Sequence, residues 1–92
     1  MKRVYAIVHG RVQGVGFRAA TLRTALSLNL VGWVRNRPDD SVEVVAVGDH
    51  DRLKQFEEFL RHGPPGAHVR GLDISWESDA DAAADLNGFE IR

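Results

Sequence analysis

The 92-residue chain contains no cysteine, which removes disulfide staples, thiolate metal sites and cysteine nucleophiles together. Long apolar runs are missing too. The run that follows Met1-Lys2-Arg3 covers only Val4 to Val8, too short for a signal-peptide core or a membrane span. No membrane association is expected, and the cytoplasm is the expected location. The formal net charge of −1 leaves no basic footprint of the kind that bulk nucleic-acid binding requires. The four histidines, His9, His50, His62 and His68, form no i, i+4 pair and have no cysteine as companion, and only His50 has acids on both sides, Asp49 and Asp51, so no metal site is expected. The serines show no Ser–His–acid pattern.

What is present is an ordinary globular composition, 43% hydrophobic and 27% charged, sufficient for a core without staples. A chain of this length buries roughly 60–70% of its extended surface, which fits one domain over residues 1–92 with no room for a second core. The charges are unevenly placed. Seven basic residues (Lys2, Arg3, Arg11, Arg18, Arg23, Arg35 and Arg37) precede the first acid, Asp39, whereas six acids and only Arg92 follow Arg70. Such a split fits either two differently charged solvated faces or a positive site for a small anion.

The glycine-rich stretch Gly10-Arg11-Val12-Gln13-Gly14-Val15-Gly16-Phe17-Arg18 favours the second. It lies between an apolar strand pattern, Val4 to about His9, and a helical pattern from Phe17 to about Leu28. Glycines at such a junction let successive N–H groups converge on one anion, and the helix adds the positive end of its dipole. Arg18 adds a planar, permanently charged fork suited to phosphate or carboxylate. The nucleotide loops are excluded by spacing: Phe17-Arg18 stand where a P-loop has Lys-Ser/Thr, and Gly-x-x-x-Gly-x-Gly is not the dinucleotide pattern.

The remaining elements follow from period and punctuation. Leu22, Ala25 and Leu26 mark the expected inner face of the first helix, and Asn29 tolerates the left-handed position that ends it. Leu30 to Arg37 and Val42 to Val47 read as a hairpin about the turn Arg37-Pro38-Asp39-Asp40-Ser41. Asp49 or Asp51 caps a second helix with Leu53, Phe56 and Leu60 inside and Glu57-Glu58 outside. The break Gly63-Pro64-Pro65-Gly66 stops that helix. Leu72, Ile74 and Trp76 alternate as a half-buried strand, residues 78–86 read as an acidic surface loop, and Phe89 and Ile91 as a short last strand. This βαββαβ order predicts an α+β, ferredoxin-like α/β sandwich with an antiparallel sheet and two helices on one face.

A second constellation is Gly32-Trp33-Val34-Arg35-Asn36. An amide near a strand end, Asn36, offers both a donor and an acceptor and suits a water held against a substrate oxygen; it equally suits a turn before Pro38. Trp33 and Trp76 are expected to pack rather than to stack on bases, since no RNA-binding aromatic pattern surrounds them.

With both constellations in view the chain resembles the acylphosphatase family. Gly10 to Arg18 looks like that family's first signature, and Gly32 to Asn36, continuing through Ser41-Val42 to Gly48, looks like its second. The likeness extends over the Gly63-Pro64-Pro65-Gly66 break to the ending Phe89-Glu90-Ile91-Arg92. Asp40 departs from the family's usual glycine, and Ala19-Ala20 stand where an aromatic is common.

The resemblance implies an enzyme, an acylphosphatase that hydrolyses the carboxyl–phosphate bond of a small-molecule acyl phosphate to a carboxylate and inorganic phosphate. It implies that Arg18 and backbone N–H groups of about Gln13, Gly14, Val15, Gly16, Phe17 and Arg18 bind the phosphoryl group, and that Asn36 holds the attacking water. It implies no metal, no cofactor and no covalent phosphoenzyme, and the chain is expected to act as a monomer. The alternative is a non-catalytic anion- or acyl-phosphate-binding module, since similar domains occur inside larger proteins.

Overall fold

In strand β1 (Lys2–Arg11), Val4, Ala6 and Val8 alternate with Arg3, Tyr5, Ile7 and His9, so the strand has one apolar face. The structure is a computed structural model that describes residues 1–78 and 86–92. After β1 come helix α1 (Phe17–Ser27), strands β2 (Val31–Asn36) and β3 (Val42–Gly48), helix α2 (His50–His62), and strands β4 (His68–Ser78) and β5 (Phe89–Ile91). The sheet order is β4-β1-β3-β2-β5. The first four strands are antiparallel neighbours, while β5 joins the edge parallel to β2.

Val4, Ala6 and Val8 of β1, Val34 of β2, and Val42, Val44 and Ala46 of β3 share one core cluster with Phe17 and Ala25 of α1 and Leu53, Phe56 and Leu60 of α2. Because these strand positions alternate, a single face of the sheet carries both helices. The expected ferredoxin-like sandwich is therefore present, extended by the parallel edge strand.

Helix ends behave as their residues dictate. Asn29 adopts φ 54°; the N–H of Leu30 bonds to Ala25 O at 3.0 Å and that of Asn29 to Leu26 O at 3.1 Å, the paired closure of a left-handed C-terminus. Asp49 is the cap of α2, its carboxylate accepting from the N–H of Arg52 at 2.9 Å.

Two expectations fail. The inner face of α1 is formed by Phe17, Ala20, Thr21 and Ala25, with Leu22 only partly buried and Leu26 54% exposed. Thr21 can enter the core because its hydroxyl donates to Phe17 O at 2.8 Å, leaving no unpaired polar group. Glu57 is buried rather than outward-facing: the indole N–H of Trp76 donates to it at 3.0 Å, and Arg61 at 2.7 Å. Most of the expected acidic loop, 79–85, lies outside the described residues.

Candidate active site

The end of β1, the start of α1 and the end of β2 meet at one edge of the sandwich. β1 passes a register irregularity between His9 and Gly10 and turns through residues 13–16 into α1. Gly14 and Gly16 hold φ of 75° and 77°. A Cβ added at either would meet nothing within 4 Å, so the backbone sign alone calls for glycine there.

Helix α1 then begins without a side-chain cap and with no acid in its first turn. Its first main-chain bond runs from Ala20 N to Gly16 O at 3.0 Å. The N–H groups of Phe17, Arg18 and Ala19 therefore have no acceptor within the helix. Helix α2 differs, closing its start with Asp49 and carrying Asp51 in the first turn.

A cavity of about 250 Å³ opens over this helix start. Gln13, Gly14, Gly16, Phe17 and Arg18 line it from the loop and helix, and Asn36 lines it from β2. The structure thus brings the sequence-predicted residues together, except that Val15 packs, partly buried, against the core instead. Three lining residues were not singled out as site residues: Val12, Ala19 and Ile91. Of these only Ala19 had been noted in the sequence, with Ala20, as standing where the family commonly has an aromatic.

The two charged or polar side chains of the site differ in their surroundings. Arg18 is exposed and, among the described residues, forms no ion pair. Asn36 has its Oδ1 buried with no hydrogen-bond partner among the described residues. Leaving a buried acceptor unpaired costs about 1–3 kcal/mol, a strain that a bound donor would relieve.

Gln13 has a role that its place in the loop did not reveal. Its side-chain amide donates to the carbonyls of both Arg37 and Ser41, each at 2.9 Å. It thereby ties the glycine loop to the turn that follows Asn36. That turn closes through Arg37 N to Ser41 O at 2.9 Å and Asp40 N to Arg37 O at 3.2 Å. The Asp39 carboxylate accepts from the hydroxyl and the N–H of Ser41; these bonds, with Arg37 nearby, hold its pKa below the ordinary value. Asp40 takes φ 72°, so the position where the family usually has glycine does use the left-handed region.

On the opposite face of β2, Arg35 pairs with Glu43, which also accepts from the hydroxyl of Tyr5. Burial pushes the Glu43 carboxyl up, but the bonds from Tyr5 and Arg35 outweigh it and the net direction is down. Tyr5 moves up, chiefly through its bond to Glu43. Glu57 follows the same balance as Glu43, burial opposed and overcome by Arg61 and Trp76. Among the described residues no group of three or more His, Cys, Asp or Glu is placed to hold a metal ion, and no helix is long and apolar enough to cross a membrane.

Fold and site together define a small α+β sandwich with a glycine cradle at an uncapped helix start. Comparison with known proteins narrows the class. The family model described as Acylphosphatase matches residues 4–91. An acylphosphatase of Methylococcus capsulatus is 53% identical over 74 residues, 80% of each chain. One of Salinibacter ruber is 46% identical over 91 residues, covering 99% of this chain and 93% of that one. The crystal structure of acylphosphatase from Bacillus subtilis superposes with a TM-score of 0.92 at 35% identity, over 100% of this chain and 99% of that one. The chain belongs to the acylphosphatase family of enzymes.

Proposed function

We infer that the protein hydrolyses the carboxyl–phosphate bond of acyl phosphates, with the phosphoryl group held by Arg18 and the N–H groups at the start of α1, and water positioned by Asn36. One observation carries this assignment: Arg18, the uncapped helix start and Asn36, whose Oδ1 is buried without a partner among the described residues, line the same cavity. The N–H groups and the guanidinium offer donors to the phosphoryl oxygens. Asn36 Oδ1 offers an acceptor to a water proton, which fixes that water for attack on phosphorus.

An acyl phosphate is a mixed anhydride whose leaving group is a carboxylate of pKa about 4. The carboxylate departs without being protonated, so no general acid is needed, and the cavity offers none. Water oxygen bonds to phosphorus, the bond from phosphorus to the carboxyl oxygen breaks, and the carboxylate takes that electron pair. The water proton passes to a phosphoryl oxygen of the substrate, giving inorganic phosphate. The obstacle is approach to an already anionic group, which the cradle lowers by neutralising the non-bridging oxygens. The protein is proposed to act as a monomer on its small-molecule substrate.

The test is hydrolysis of benzoyl phosphate by the wild type and by Arg18→Ala and Arg18→Lys. Turnover is expected in the wild type only, with phosphate inhibition weakened in both variants, because an ammonium does not reproduce the planar fork. An inactive wild type that binds phosphate through Arg18 would make the chain a binding module.

A further inference from the structure

The break Gly63-Pro64-Pro65-Gly66 does more than stop α2. The N–H of Gly63 bonds to Phe59 O at 2.7 Å, and its backbone takes φ 70° and ψ −177°, a combination open in practice only to glycine. The chain then turns back, with Ala67 N donating to Pro64 O at 3.1 Å. Gly63 lies directly against the ring of Phe17: a Cβ at Gly63 would stand 2.8 Å from Phe17 Cε2 and 3.3 Å from Cδ2. Phe59, one turn earlier in α2, places its own ring 5.9 Å from that of Phe17, centroid to centroid. The end of α2 therefore forms a seat for one side chain of α1.

That side chain belongs to the cradle. Phe17 is the first residue of α1, and its N–H is one of the three that have no acceptor within the helix. Its ring is also the main anchor of α1. Phe17 is 1% exposed, and the other buried residues of the helix are Ala20, Thr21 and Ala25, so one large ring supplies most of the apolar area that this face buries. Gly16, at φ 77°, precedes it, and no side chain caps the helix start. The tilt of the first turn therefore follows the position of the Phe17 ring, and the N–H groups and the Arg18 guanidinium move with it.

We propose that Phe59 and Gly63 are positioning residues for the cradle: by seating Phe17 from α2, they keep the N–H groups at the start of α1 and the Arg18 side chain aimed into the cavity. Neither residue lines the cavity, so both act through Phe17. A misplacement of about 1 Å caused by a remote substitution can cost on the order of a hundredfold in rate. The proposal rests on the phosphoryl binding assigned above.

The experiment measures binding of inorganic phosphate by calorimetry, benzoyl phosphate kinetics and urea unfolding on two pairs of variants. Phe59→Leu keeps an apolar side chain and removes the ring, whereas Phe59→Tyr keeps the ring. In Phe59→Leu the phosphate dissociation constant should rise roughly tenfold, the scale of one weakened bond to a charged group, and kcat/KM should fall at least as far. Phe59→Tyr should stay within about twofold of the wild type in both. Gly63→Ala and Gly66→Ala each place alanine at positive φ, 70° and 92°, so both should lower the urea midpoint. A Cβ at Gly66 meets nothing within 4 Å, so only Gly63→Ala should also weaken phosphate binding. If Gly63→Ala does not fold, the Phe59 pair decides. Phosphate affinity unchanged in Phe59→Leu, or weakened equally in Gly63→Ala and Gly66→Ala, would overturn the seat. A wild type that binds phosphate without hydrolysing benzoyl phosphate contradicts the assigned reaction, and the phosphate affinities of the variants then still decide the seat. A wild type that binds no phosphate overturns the cradle and its seat together.

Discussion

The side-chain amide of Gln13 donates to the main-chain carbonyl of Ser41 at 2.9 Å, joining residues on either side of Asn36. A second bond from the same amide to Arg37 O makes Gln13 a strut between the glycine loop and the turn after β2. Both carbonyls keep another donor, Arg37 N for Ser41 O and Asp40 N for Arg37 O. Gln13→Ala therefore orphans neither and is expected to cost only about 1 kcal/mol of stability. Its larger effect should be on kcat, since the distance between the cradle and Asn36 is no longer held. Urea unfolding with benzoyl phosphate kinetics checks this; an unchanged kcat would remove the strut from the account.

Asp40 holds φ 72° without the freedom of glycine. Asp40→Gly should match or exceed the wild type in urea midpoint, while Asp40→Val should lose about 1–2 kcal/mol because a β-branched residue fits that region poorly. Catalysis by Asp40→Gly should be unchanged, because Asp40 does not line the cavity. A stable Asp40→Val would contradict the assigned strain.

The acid limb of stability should report Glu43 and Glu57. Both carboxyls are lowered in the folded chain, so near and below the ordinary glutamate value of about 4.3 the unfolded chain binds more protons. Their contribution is complete above that value and is lost as pH falls through the lower folded values. Urea midpoints should thus be level from about pH 7 to 5 and decline below. Tyr5→Phe, which removes one bond that lowers Glu43, should make the decline shallower, because the folded value moves up toward the unfolded one while the pH at which the decline begins is unchanged. A limb indifferent to Tyr5→Phe would show that another group sets it.

The cavity lining offers a guanidinium, amides and main-chain groups but no carboxylate or imidazole, a donor set unsuited to Mg²⁺ or Zn²⁺. Benzoyl phosphate hydrolysis should survive dialysis against EDTA. Loss of activity restored by a divalent cation would overturn that conclusion.

Local chemistry made much of this architecture legible in the sequence. Asn29 announced its helix end, and the start of α2 was narrowed to Asp49 or Asp51, because the relevant bonds run to neighbours a few residues away. Gly14 and Gly16 announced the cradle because few other residues accept that backbone. What stayed hidden depended on distant partners. The strut of Gln13 spans 24 and 28 residues, and Glu57 is buried because of Trp76, 19 residues on. The face of α1 was misjudged because hydropathy ranks Leu26 above Thr21 and does not register that the Thr21 hydroxyl bonds within its own helix. Ile91 resembled any apolar strand residue until its pairing with Val34 set it beside Asn36.

The most direct test is the kinetics of Asn36→Ala on benzoyl phosphate, with inorganic phosphate as inhibitor. If Asn36 positions water, kcat should fall on the order of a hundredfold, while the phosphate inhibition constant stays within about threefold, because the cradle is untouched. A parallel loss of phosphate affinity and rate would make Asn36 part of the cradle, and an unchanged kcat would remove it from the reaction.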